Sequence, residues 1–567
     1  MQNSNSDNSS LLNVIEKFGD YSLCLDGVYK VDSTSGTGSK PEKICGYLKV
    51  VALYRNIDNN EWGKVVEFDD LDGNRHSSLI PNATLISNIK DILSPLVSQG
   101  LAVDSQSDTT TYLKECQPTQ RARIVHRLGW HDFGNGRQVF VLPNNQIIGS
   151  CSESAYFEGL FPASVLQQKG TLQEWQDNVS IPASSSSRSI LAICVALASP
   201  LVSLTQRNNA GFHIRGNSSS GKSIAQAIGC SVIGSPDMKL TWRSTANGLE
   251  GIALVHNDLM LPLDEISQAD PTTISSSIYD LMNGKQKIRA TKTGSAQSVQ
   301  EWHLLVLSSG EENLRDIALS QGRRTKAGEE IRLADIPADA GNGLGVNEFI
   351  PPNFGDIRSY ATSIKDAVNK FYGTAFIEWL KVLVQQDFSK IRDVITQGIN
   401  KFVNEVAPDS SSQVKRVAES FGLLAVAGEF ATCEGITGWQ KGVAEEGIKK
   451  CFRAWLDEFG DGRPKEDQQL IDNALEVLTL KHSCFIDKTE SKVPKDWIGW
   501  IDNSNKGKQI FMVPLESYKK FFCMGKKCKY VDRVLMEADL LKKTGHTLNP
   551  QSKNGVSTRV RCLELPP

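Results

Sequence analysis

The sequence predicts an α/β fold, and three stretches predict it. Residues 211–223 read as a short apolar strand, a Gly- and Ser-rich turn and the start of a helix. Residues 259–265 read as a second apolar strand that ends in two acids, Asp264 and Glu265. Residues 302–307 read as a third, ending at Ser308-Ser309-Gly310-Glu311. Strands that alternate with helical stretches in this way build a sheet covered by helices.

The first stretch organises the rest. Gly216, Asn217, Ser218, Ser219, Ser220, Gly221, Lys222 and Ser223 fit the phosphate-loop spacing G-x-x-x-x-G-K-[ST]. Glycines let successive backbone N–H groups turn toward one anion, and the new helix adds unpaired N–H groups and a positive dipole end. Lys222 supplies a mobile positive charge for the β- and γ-phosphates. The Ser223 hydroxyl is a hard oxygen ligand suited to Mg²⁺. The second stretch has the composition of the partner motif. Asp264 would hold the Mg²⁺ shell, and Glu265 would orient the attacking water. Pro262 is discordant inside a strand because it removes one ladder donor, and a bulge would accommodate it.

Composition sets the frame. The chain has 567 residues, 40% hydrophobic and 22% charged, which leaves room for several domains. Its net charge of −3 excludes nucleic-acid binding by bulk charge, so any such surface is local. Twelve scattered cysteines and the polar Asn/Ser-rich stretch 1–10, unlike a secretory leader, predict reduced thiols in a cytoplasm. The longest apolar run, 190–204, contains Pro200 and is too short to cross a bilayer. It reads as a buried helix just ahead of the phosphate-loop strand.

In chain order, residues 1–20 read as a disordered N-terminus and 21–182 as a β-rich region. Strands are expected at 47–54 and 62–68, with a hairpin turn at Asp72-Gly73. An amphipathic helix is expected over 85–97 and a further small β unit over 121–149. Residues 183–187, almost all Ser, read as a linker or helix cap. The ATP-binding core is assigned to 183–350. Within it, Ser244 or Thr245 can cap a helix over 247–255. Residues 284–301 read as a hairpin with a cationic tip carrying Lys285, Lys287, Arg289 and Lys292. Such a tip can grip phosphates, and a solvated surface hairpin has the same composition. Ser308 or Ser309, at the end of its strand, could touch the γ-phosphate or its water. Arg332 follows that strand, and a guanidinium suits the charge that develops in phosphoryl transfer.

Residues 351–462 read as a helical lid, with helices over 360–385, 388–406, 411–434 and 440–458. Arg416 could reach a nucleotide or form a structural ion pair. Residues 463–567 form a last module. Lys and Arg far outnumber Asp and Glu between Lys506 and Arg561. Its order of helix, two strands, two helices and a strand suggests a winged-helix-like fold suited to phosphate backbones, with protein docking as the alternative.

With these pieces in view, the chain resembles a family of AAA+ proteins of bacterial mobile elements and prophages. That family is catalogued as a domain of unknown function (DUF 927 type) and includes minichromosome-maintenance-like helicases. The matching stretches are 216–223, 241–245 with 247–250, 263–265, 307–311, 327–333 and 425–432, with 128–130 and 140–143 upstream. Together they cover about 121–459. The resemblance implies a P-loop AAA+ ATPase acting as a hexameric ring with ATP and Mg²⁺. It implies that Ser308 or Ser309 is the first sensor, that Arg332 is a trans-acting arginine and that Arg416 is a second sensor. It also implies that Lys292, with Lys287 and Arg289, grips DNA.

The function expected is an ATP-driven DNA helicase or translocase in the replication of a mobile element or prophage. Its partners would be single-stranded or forked DNA and replication proteins of the same element, with no membrane. The alternative is an ATP-gated loader that recruits partners and unwinds nothing.

Overall fold

The computed structural model describes residues 13–31, 41–134, 136, 138–159, 161–287, 299–320, 327–459, 465–487, 496–503, 509–548 and 558–565. The fold is mixed α/β. At its centre lies a five-stranded sheet whose strands are β1 (Ala210–Arg215), β2 (Leu240–Thr241), β3 (Met260–Asp264), β4 (Leu305–Gly310) and β5 (Leu333–Pro337). Their spatial order is β2-β3-β4-β1-β5, and every pairing is parallel. A parallel sheet covered on both faces reads as continuous apolar strands, and all six residues of β4 are buried. Pro262 is in plain register with Leu307, with no bulge between β3 and β4. The other edge of β3 faces the two-residue β2, which pairs only with Leu263 and Asp264.

Five helices matter for the site: α1 (Ser187–Ala198), α2 (Lys222–Ile233), α3 (Ala246–Val255), α4 (Ile274–Asn283) and α5 (Ser412–Cys433). The Ser-rich stretch before α1 acts as a cap, with Ser186 accepting from the Ser189 N–H. Every residue of α1 is buried. Thr245 caps α3 by accepting from the Gly248 N–H. Helix α2 packs on β4, and its Gln226 amide donates to the Leu307 carbonyl at 3.0 Å.

The apolar core around α1 runs unbroken from Leu128 to Phe459. It takes in Trp130 and Phe140 from the upstream β unit and Phe421 and Trp455 from the helices that follow the sheet. One buried carboxylate ties the upstream unit down. Asp258 accepts from the Trp130 backbone N–H at 3.0 Å and from Ser203 and Asn257. Gly129, at φ +98°, lies so close that a Cβ there would sit 2.3 Å from Asp258 Oδ2.

Three expectations change. The stretch 1–20, expected to be disordered, contains a strand: Val14–Phe18 is paired with Tyr21–Cys24, and Lys49 holds Glu16 at 2.7 Å, while residues 1–12 lie outside the described residues. Phe18 meets Tyr112 edge-on, so this short segment has both a ladder and an apolar anchor. The single helix over 360–385 is two, Ile357–Val368 and Thr374–Val384. They are separated at Gly373, whose φ is +77° and whose Cβ would meet the Gln167 carbonyl at 2.4 Å. In the last module, expected to end in two helices and one strand, the second helix ends at Glu537, and a further strand, Leu541–Leu548, pairs with Thr558–Glu564. That module has its own apolar core, built from a five-stranded sheet and helices Lys465–Leu480, Leu515–Phe521 and Cys528–Glu537. All twelve cysteines are free thiols. Among the described residues no helix is long and apolar enough to cross a membrane.

Candidate functional site

The loop 216–223 leaves β1 at its C-terminal end and enters α2. Its first residue is pinned to the sheet, because the Gly216 N–H donates to the Gly310 carbonyl at 3.1 Å. Ser219 (φ +65°) and Gly221 (φ +93°) turn the backbone back on itself. A Cβ at Gly221 would meet Val346 at 2.7 Å, so that position needs glycine both for its conformation and for space. No side chain caps α2, and the exposed Ser223 stands at its start. Lys222 is buried and arches over the loop, with Nζ donating to the carbonyls of Gly216 at 2.6 Å and Asn217 at 2.8 Å. The Ser220 hydroxyl is buried without a partner. An uncapped helix start, an ammonium over the loop and an orphaned hydroxyl fit an anion of phosphate type.

Two strands away stand the acids. Leu263 is level with Ser308, and Ser308 is level with His213, so Asp264, one residue on, lies roughly 10 Å from the end of β1. The Ser309 hydroxyl donates to Asp264 Oδ1, and Lys239 Nζ lies 2.7 Å from Oδ2. Burial pushes the Asp264 carboxyl up, but the hydrogen bonds from Lys239 and Ser309 prevail and hold it below the usual carboxylate range. Glu265 follows at φ +56°, with Oε1 accepting from the Ser267 hydroxyl at 2.6 Å. An oxygen set made of Asp264, Ser309 and Ser223 has the hard chemistry that Mg²⁺ takes.

The two serine candidates part company. Successive strand residues point to opposite faces. Ser308 turns away from Asp264 and accepts from the Trp242 indole N–H at 2.9 Å, with His213 Nδ1 at 2.8 Å. His213 Nε2 reaches the Glu312 carbonyl at 3.0 Å. The assignment that satisfies every group has Trp242 donating to Ser308, Ser308 to Nδ1, and Nε2–H to Glu312. Burial pushes His213 down to about 4, which keeps it neutral and able to accept. The residue pattern did not reveal His213, Trp242 or Lys239 as neighbours of the site. Trp242 stood out only within the matching stretch 241–245.

At the opposite ends of the same strands is a cavity of about 510 Å³, lined by Ala210, Leu305, Arg207, Arg332, Arg416 and Glu419 among others. Arg332 lies over the Tyr279 ring at 4.4 Å and donates from Nη1 to the Gly328 carbonyl at 2.9 Å. The six residues of β1 span about 20 Å, so Arg332 and Arg416 sit a full strand length from their own chain's loop. Arg416, near the start of α5, lines that cavity together with Arg207, Arg332 and Glu419.

The hairpin stem is present, with Lys285 bridged to Glu301 at 2.8 Å and the Gln286 N–H donating to the Gln300 carbonyl at 2.9 Å. Lys287 is paired with Asp280 of α4 at 2.6 Å. Arg289 and Lys292 lie outside the described residues.

Comparison with known proteins adds to this geometry. The chain aligns over 97% of its length with 98% of the solved structure of SCCmec type IV Cch, an active helicase, at 15% identity and a TM-score of 0.72. At that identity the likeness is one of fold. The apo A form of the NrS-1 C-terminal region aligns over 91% of this chain and 96% of its own, at 11% identity, but its TM-score of 0.32 carries no argument. No curated protein sequence matches the chain. Residues 21–301 match the family described as a domain of unknown function, DUF927, so the match begins well upstream of the expected 121 and ends within the hairpin stretch. Through these residues the chain belongs to the DUF927 family.

Proposed function

We propose that the chain is an ATP-hydrolysing motor of the AAA+ kind, encoded by a mobile element or prophage, that moves along or unwinds DNA. The single observation that carries this reading is the meeting of the 216–223 loop with the Asp264–Ser309 pair at the C-terminal ends of neighbouring parallel strands. Ligands bind in this crevice of open parallel sheets. The fold shared with an active helicase supports the same class.

In this mechanism the loop N–H groups and Lys222 hold the triphosphate, and Lys222 leaves its two carbonyl partners to do so. Ser223 and Asp264 would hold Mg²⁺, which supplies charge neutralisation at the phosphates. Ser309 keeps one oxygen of Asp264 engaged and so sets the carboxylate's orientation. Glu265 accepts the proton of the attacking water, and the loop's donors stabilise the charge that accumulates on the phosphoryl oxygens. Arg332 and Arg416 face away from their own loop, so they are offered to the site of a neighbouring copy in a ring. Ordering of that interface by the γ-phosphate, and its release on hydrolysis, would move the 284–301 hairpins with Lys287, Arg289 and Lys292 along the strand. The basic last module, of winged-helix-like type, adds phosphate contacts.

The test is ATP hydrolysis with and without single-stranded DNA, beside strand displacement on a fork. The expected results are DNA-stimulated turnover, unwinding, and loss of both in Lys222→Ala. Turnover without displacement would favour an ATP-gated loader, and no turnover would end the enzyme reading.

A further inference from the structure

A cation without an assigned role stands beside the acids. Lys239 follows α2 after Gly234, where a Cβ would meet the Val165 carbonyl at 2.0 Å, and a single turn, Pro236–Met238, capped by Ser235. Its backbone is extended (φ −64°, ψ 125°), and the next two residues pair with Leu263 and Asp264. Alternation along the strand puts Lys239 on the same side as Thr241, the register partner of Asp264.

The carboxylate of Asp264 is therefore engaged on both oxygens, by the Ser309 hydroxyl on Oδ1 and by Lys239 Nζ at 2.7 Å on Oδ2. The two donors differ in freedom. Ser309 is 1% exposed, on a central strand. The Lys239 side chain is 31% exposed, on a flexible four-carbon stem beside the outermost strand of the sheet. A divalent cation approaching Oδ2 meets the ammonium, and the ammonium can swing away without disturbing the sheet.

We propose that Lys239 is a tethered counter-ion that keeps divalent cations off Asp264 until a triphosphate draws its ammonium away. This rests on the nucleotide-site reading above. Two cations sharing one carboxylate oxygen repel each other, so metal alone binds weakly. A triphosphate offers several anionic oxygens and is the better partner for the freed ammonium. Metal and nucleotide then bind as a pair.

The experiment is titration of the full chain with Mn²⁺, without nucleotide, reading free Mn²⁺ by its paramagnetic resonance signal. Lys239→Gln and Lys239→Met should bind Mn²⁺ about tenfold more tightly than the wild type. Lys239→Arg should behave as the wild type, and Asp264→Asn should lose the site. Unchanged or weaker Mn²⁺ binding in a folded neutral variant overturns the proposal. So does loss of the fold in both neutral variants, which would make Lys239 a structural residue. Binding of a fluorescent ATP analogue to Lys222→Ala tests the underlying reading separately. If that variant binds like the wild type, the nucleotide site fails; if it does not, and the Mn²⁺ titrations coincide, only the role of Lys239 fails.

Discussion

The Ser309 hydroxyl is hydrogen-bonded to the carboxylate of Asp264, while the adjacent Ser308 points through the opposite face of the sheet to His213 and Trp242. Two neighbouring serines of the same chemistry thus serve different structures. Ser309→Ala should cut ATP turnover about 10–100-fold, with little change in stability. Ser308→Ala should do the reverse and lower stability by about 1–3 kcal/mol, because it strands the Trp242 N–H and the His213 Nδ1 in a dry interior. Steady-state hydrolysis and urea unfolding of the two variants separate the roles.

Arg332 is held over Tyr279, a strand length from its own loop. Arg332→Ala should lose about 100-fold or more of its ATP turnover. Mixing it with the equally inactive Lys222→Ala should restore part of the activity, because some sites then pair an intact loop with an intact arginine from the neighbour. A mixture as inactive as its parents would remove the trans role.

Gly129 has no room for a side chain beside Asp258, and its φ of +98° disfavours one. Gly129→Ala should cost about 2–3 kcal/mol of stability. It should loosen the 129–148 region more than the central sheet, as amide hydrogen exchange would report.

Three buried histidines, His131, His213 and His256, are each pushed down to about 4 by burial. The unfolded chain takes up their protons near 6.5, before the native state does. Their contribution to stability is therefore full above about pH 6.5 and is lost as pH drops from there toward 4, by on the order of 3 kcal/mol per histidine. His213→Gln can keep both hydrogen bonds without the titration. Between about pH 6.5 and 4 its unfolding free energy should lose on the order of 3 kcal/mol less than the wild type's, as measured by urea melts at stepped pH.

Much of the site was legible in the residues because its parts are local. The phosphate loop is eight consecutive residues whose types answer to one anion, and Asp264-Glu265 ends a strand that its apolar run announces. Lys239 is not legible in the residues because its link to Asp264 passes through the pairing of β2 with β3, and a two-residue strand leaves almost no pattern. The break between Ile357–Val368 and Thr374–Val384 leaves no sequence signal because helical periodicity runs on both sides of it. Between the helices Tyr372 pairs with Lys169 and Gly373 packs close to Gln167, contacts between distant parts of the chain.

By itself the sequence determined the α/β class, the order of β1, β3 and β4 along the chain and the loop between β1 and α2. Those depend on short-range steric preferences and apolar periodicity, which a dozen residues can carry. Only the tertiary structure decided which serine meets Asp264, that Lys239 meets it too, and that Arg416 belongs with Arg332 at the far ends of the strands. Strand register and helix packing set those pairings. Both are long-range choices, made when the whole core closes and each side chain is committed to one face.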